Sequence, residues 1–70
     1  MIVSVFKTNI SAYDLSRITP VLNDYKSVLR WSTDLEDCDN ILRIESQEIV
    51  SQAIVKILGD LGLFCEELMD

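Results

Sequence analysis

The sequence predicts an α+β fold, a four-stranded antiparallel sheet with two helices on one face. Three observations carry this expectation. Runs rich in β-branched and aromatic residues recur four times, beginning at Ile2, Ser27, Ile41 and Leu63. After the first and third runs the apolar spacing becomes helical, as in Leu15, Ile18 and Leu22, and again in Val50, Ile54 and Leu58. The 70 residues include only two glycines and one proline, with no linker and no internal period. A chain this short forms a single domain, residues 1–70, and buries only about 60% of the surface it exposes when unfolded.

Each element has a local reason. Ile2 to Ile10 is apolar on both alternation phases, through Ile2, Val3, Val5 and Phe6. That pattern suits a strand in the interior of its sheet. Ser11-Ala12-Tyr13-Asp14 then opens a helix, with the serine at the cap and Asp14 in the positive end of the helix dipole. Pro20 lies within the helical stripe and is expected to kink the helix, or to split it with Thr19 capping a second turn. Ser27 to Leu35 and Ile41 to Ile44 form a hairpin around the turn Glu36-Asp37-Cys38-Asp39-Asn40. Ser46 is the expected cap of the second helix. Its apolar face runs from Ile49 to Leu61, and Gly62 ends it. Leu63 to Leu68 is the last strand. The order β-α-β-β-α-β, with right-handed crossovers, gives the ferredoxin-like split βαβ layout, strand order 4-1-3-2.

Composition excludes several classes of function. There is no histidine, which removes histidine bases and histidine metal ligands. The net charge is −6, and the six basic residues stand singly along the chain. Neither nucleic acid nor an anionic membrane surface is an expected partner. The first apolar run is too short for a signal peptide, and no segment approaches the ~18 apolar residues of a membrane helix. The expected location is the cytoplasm, with Cys38 and Cys65 as reduced thiols. No enzyme is expected. Thr8, Ser11, Tyr13 and Asp14 have no adjacent base, Glu66 and Glu67 point to opposite faces of a strand, and no glycine-rich phosphate loop exists. No cofactor is expected either.

Several stretches resemble the heavy-metal-associated domain of copper chaperones and metal-pumping ATPases. Thr8 to Ser16 is similar to that family's passage from strand through loop to helix, with Ile18 at an apolar helix position. Val28 to Leu35 looks like its second strand. Leu58, Gly62 and Phe64 resemble the end of its second helix and the start of its fourth strand. The family holds soft metal through a methionine and two cysteines in the first loop. Here those positions carry Asn9, Ser11 and Asp14. A hydroxyl and a carboxylate are hard oxygen donors that do not replace two thiolates for Cu(I). The resemblance therefore implies the fold without the metal site.

Three features remain as candidates. Cys38 and Cys65 are weak candidate metal ligands. Both fall at the end of the sheet where the family holds metal, but about 10 Å apart on strand spacing. Asp14, Asp34, Glu36, Asp37 and Asp39 are placed at the same end. They suit a solvated turn, a basic partner or a weak hard-cation site. The sheet face away from the helices is expected to show Val3 and Val5, with Trp31 on its flank, as an interaction surface. The leading expectation is a protein-protein interaction or self-associating module, through a protein partner or a homodimer. The alternatives are a soft-metal-handling protein with Cys38 and Cys65 in a rearranged site, and a small-ligand regulatory module.

Overall fold

A computed structural model describes residues 1–36 and 40–68. The elements are β1 (Ile2–Thr8), α1 (Leu15–Asn23), β2 (Val28–Asp34), β3 (Ile41–Ser46), α2 (Ser51–Asp60) and β4 (Cys65–Glu67), with a 3-10 turn at Ala12–Asp14 leading into α1. All pairings are antiparallel, and the sheet order is β2-β3-β1-β4. From the β4 edge that order is 4-1-3-2, with β1 and β3 interior. The fold is the α+β layout that the sequence implies.

The core explains which residues became which element. On β1, Phe6 turns inward, and Leu42 and Ile44 do so on β3. Ile18 and Leu22 from α1, and Ile54 and Leu58 from α2, pack against them together with Ile10 and Val50. Both helices thus bury their apolar stripes on the same face of the sheet. The core-facing row of β1 and β3 also includes Ser4, Thr8 and Ser46. Thr8 Oγ1 donates to the Asn40 carbonyl at 2.5 Å and accepts from the Ile10 amide at 3.1 Å. Among the described residues, no buried side-chain polar atom lacks a partner.

Four expectations need correction. Pro20 does not split α1, which runs unbroken from Leu15 to Asn23. The irregular turn lies earlier, at Ala12–Asp14. The Thr19 hydroxyl caps nothing and instead donates to the Leu15 carbonyl, 2.6 Å away and one turn back. Ser46 does not cap α2. It is the last residue of β3, and its hydroxyl donates to the Glu48 carbonyl at 2.7 Å. The helix begins at Ser51 with Val50 at the cap position, so Ile49 stays outside it and is 79% exposed. The last strand is three residues long rather than six, because Leu63 and Phe64 complete the exit from α2. The first strand likewise ends at Thr8, two residues early.

That exit is a Schellman closure. The Leu63 amide donates to the Leu58 carbonyl, and the Gly62 amide to the Gly59 carbonyl, both at 2.9 Å. Gly62 has φ of +81°, which glycine adopts without a steric penalty. Leu63 then packs against the core, as the motif favours.

Candidate interaction surface

The loop after β1 is closed by its own hydrogen bonds. Asp14 Oδ2 accepts from the Ser11 amide at 2.9 Å and from the Ser11 hydroxyl at 3.0 Å. The carboxylate therefore caps the start of the helical region. Asp14 Oδ1 faces Arg17 at 3.4 Å. The Ser11 bonds, first the amide and then the hydroxyl, hold the Asp14 carboxyl below its usual range, and Arg17 adds to this. Asn9 Oδ1 accepts from the Phe64 amide at 2.8 Å, which fastens the loop to the approach of β4. Asn40 fastens it to the β2–β3 hairpin, its Nδ2 donating to the Ile10 carbonyl at 2.9 Å. Arg17 also reaches the Leu61 carbonyl at 2.5 Å.

The first loop, the hairpin and the start of β4 thus meet at one end of the sheet, as the layout required. Asn9, Ser11 and Asp14 are engaged in structural bonds there. Asp34 does not join Asp14. Its Oδ1 accepts from the Glu36 amide two residues on, at 3.2 Å. Among the described residues, no group of three or more histidine, cysteine or acidic side chains is arranged to hold a metal ion. Asp37, Cys38 and Asp39 lie outside the described residues. Cys65 is half-buried opposite Thr8. Burial, and secondarily the charge of Glu67, push its thiol up to about 11. That keeps the thiolate, the nucleophilic form, scarce at neutral pH.

The face away from the helices carries the other candidates. Pleating sends Val3, Val5 and Lys7 of β1 to that face, beside Ile41, Arg43 and Glu45 of β3. Arg30, Ser32 and Asp34 of β2 complete one side, and Glu66 and Leu68 the other. The surface divides by chemistry. Its β2 half is charged, with Arg30 Nε 2.9 Å from Glu45 Oε2. This bond, chiefly, keeps the Glu45 carboxyl low. Its β1–β4 half holds Val3, Val5 and Leu68 as a narrow apolar stripe, ended by the opposed Lys7 and Glu66. Val3 is 42% exposed and Leu68 41%.

Trp31 is not on that face. It pairs with the buried Ile44, so it turns toward the helices and packs against the core. Its Nε1 donates to Asn23 Oδ1 at the end of α1, 2.9 Å away. The cause is the register of β2 on β3, which is regular from Asp34 back to Arg30; beyond it lies a bulge between Val28 and Arg30. An extra residue reverses the alternation, so Val28 and Trp31 share a face although they are three apart. Leu29, the displaced residue, is 52% exposed. The Arg30–Glu45 pair and the Asn23 contact follow from that register, which no single strand encodes. Asn40 was visible only as a turn residue. Its left-handed backbone, φ +47°, is the signature that Asn tolerates and other side chains resist.

No family model matches the chain, and neither a curated protein nor a solved structure matches it. Function must therefore be argued from these surfaces.

Among the described residues, no helix is long and apolar enough to cross a membrane.

Proposed function

We propose that this chain is a non-catalytic interaction module, similar in chain path to the heavy-metal-associated domains but without their thiolate chemistry. It associates with a second copy of itself through the helix-free face of its sheet. One observation supports this reading above the others. Val3, Val5 and Leu68 line up on the β1–β4 half of that face, with Val3 and Leu68 exposed, between the Arg30–Glu45 pair and the cross-strand neighbours Lys7 and Glu66. Exposed apolar residues that are contiguous, and bordered by charged groups, mark surfaces that bind protein. A two-fold arrangement of two such stripes buries each against the other with one kind of contact. The engagement of Asn9, Ser11 and Asp14 in loop-closing bonds favours this reading over one that places soft metal in the first loop.

Sedimentation equilibrium of the reduced chain tests it, from about 10 μM to about 1 mM, the range of a modest interface. The expected result is a mass that rises from one chain to two. Val3→Lys should restore the single-chain mass with little change in melting temperature, since Val3 is outside the core. A single-chain mass at every concentration overturns the proposal. So does association that Val3→Lys leaves unchanged.

A further inference from the structure

We propose that the outer edge of β4, with the trough between it and α2, takes an extended segment of a basic protein as a fifth strand of the sheet. The main chain supplies the first argument. The Leu68 amide donates to the Val5 carbonyl at 2.8 Å. In an antiparallel ladder, opposed residues alternate between exchanging both bonds and exchanging none. Val5 with Leu68, and Lys7 with Glu66, are then the bonded pairs. Cys65 and Glu67 direct their N–H and C=O groups away from β1. Among the described residues no strand lies beyond β4. Those four main-chain groups are spaced to receive another strand, as in other edge-recognition modes.

The trough supplies the second argument. It has a volume of about 300 Å³ and is lined by Ser51, Gln52, Val55 and Lys56 of α2 and by Glu67 of β4. Alternate side chains of an added strand point to the helix side of the sheet and so enter it. Val55, 38% exposed, offers an apolar floor. Glu67 is held in place by the Ser51 hydroxyl, which donates to Oε2 at 2.6 Å.

Charge identifies the occupant. β4 reads Cys65-Glu66-Glu67, and the chain carries a net charge of −6. Lys56 lies 3.6 Å from Asp60 and is offset by it. A second copy added antiparallel, with all three strand residues paired, sets Glu66 directly opposite Glu66 of that copy. Like charges so placed destabilise a sheet. A lysine or arginine at that position forms a favourable cross-strand pair instead. The other edge strand, β2, is longer but is protected by its bulge, which distorts the ladder an incoming strand must match.

The test uses the full chain labelled with ¹⁵N and a blocked peptide of alternating valine and lysine. Two controls carry the argument. One is the same peptide N-methylated at alternate residues, which keeps the charge and removes strand pairing. The other replaces lysine by glutamate. The expected result is saturable binding of the first peptide alone. Hydrogen exchange should slow about tenfold or more at the Cys65 and Glu67 amides, but not at Glu66. Glu66→Lys, an exposed substitution, should weaken binding by about tenfold or more. Equal binding by the N-methylated peptide overturns the proposal, since it would show bare charge attraction. It is also overturned by protection centred on Val3 and Val5, by an unchanged affinity in Glu66→Lys, or by no binding at about 1 mM peptide. The edge adjoins the Val3–Val5 stripe through Glu66 and Leu68, but exchange at the Cys65 and Glu67 amides and the effect of Val3→Lys on mass report on them separately, so either reading can fail alone.

Discussion

At the scale of single residues, Asp14 shows how one exposed carboxylate can serve the architecture of a loop. Its carboxylate accepts two bonds from Ser11 and faces Arg17. These interactions favour the charged form, so the folded protein holds this carboxyl below its ordinary value of 3.8. The sign follows from linkage. A group whose folded pKa is depressed contributes its stability above the unfolded value and loses it as pH falls through the folded one. Asp14→Ala should therefore melt at a lower temperature than the parent at neutral pH. The difference should shrink progressively below pH 3.8. Circular dichroism melts of both proteins across the acid range measure this directly. A difference that stays constant with pH would show that the carboxylate's charge is irrelevant to the cap. Ser11 and Asp14 were legible as a helix start from spacing alone. Asn40 was not, because its two bonds join segments 30 or more residues apart, and no local pattern encodes such a contact.

At the scale of elements, the two glycines of the α2 region separate two effects. Gly59 is inside the helix, and a Cβ there meets nothing within 4 Å. Alanine at this position removes backbone freedom from the unfolded chain, so Gly59→Ala should stabilise by about 0.5–1 kcal/mol. Gly62 is equally open, but its φ is +81°. Gly62→Ala should destabilise by about 1–2 kcal/mol for conformational reasons alone. Urea titrations that gave both variants the same sign would refute this division. Element identities were legible where hydrophobic period was unambiguous, as in β1, α1 and the body of α2. Boundaries were less so. Ser46 looked like a cap because serine before a helix usually is one, yet the ladder with Ile2 and Val28 extends β3 through it. Trp31 was placed on the wrong side because its face is set by register on β3, and register is a property of the sheet rather than of one strand.

At the scale of the whole molecule, nine fully or nearly fully buried apolar side chains among the described residues form one core. Domains of this size have about 4–10 kcal/mol of total stability. Ile54→Ala, at the centre of α2, should remove about 2–5 kcal/mol and so lower the urea midpoint by a large fraction, with the slope of the transition unchanged. A midpoint within error of the parent would mean that the core relaxes around the gap. The interior place of β1 has a consequence for synthesis. Ile2–Thr8 is translated before both of its neighbours, Ile41–Ser46 and Cys65–Glu67. No hairpin can shelter it. While the ribosome makes the intervening residues, a nascent segment with Ile2, Val3, Val5 and Phe6 has neither ladder partner. This interval exposes it to strand-to-strand aggregation. The finished protein hides both edges of β1, and translation must reach β4 before it can do so.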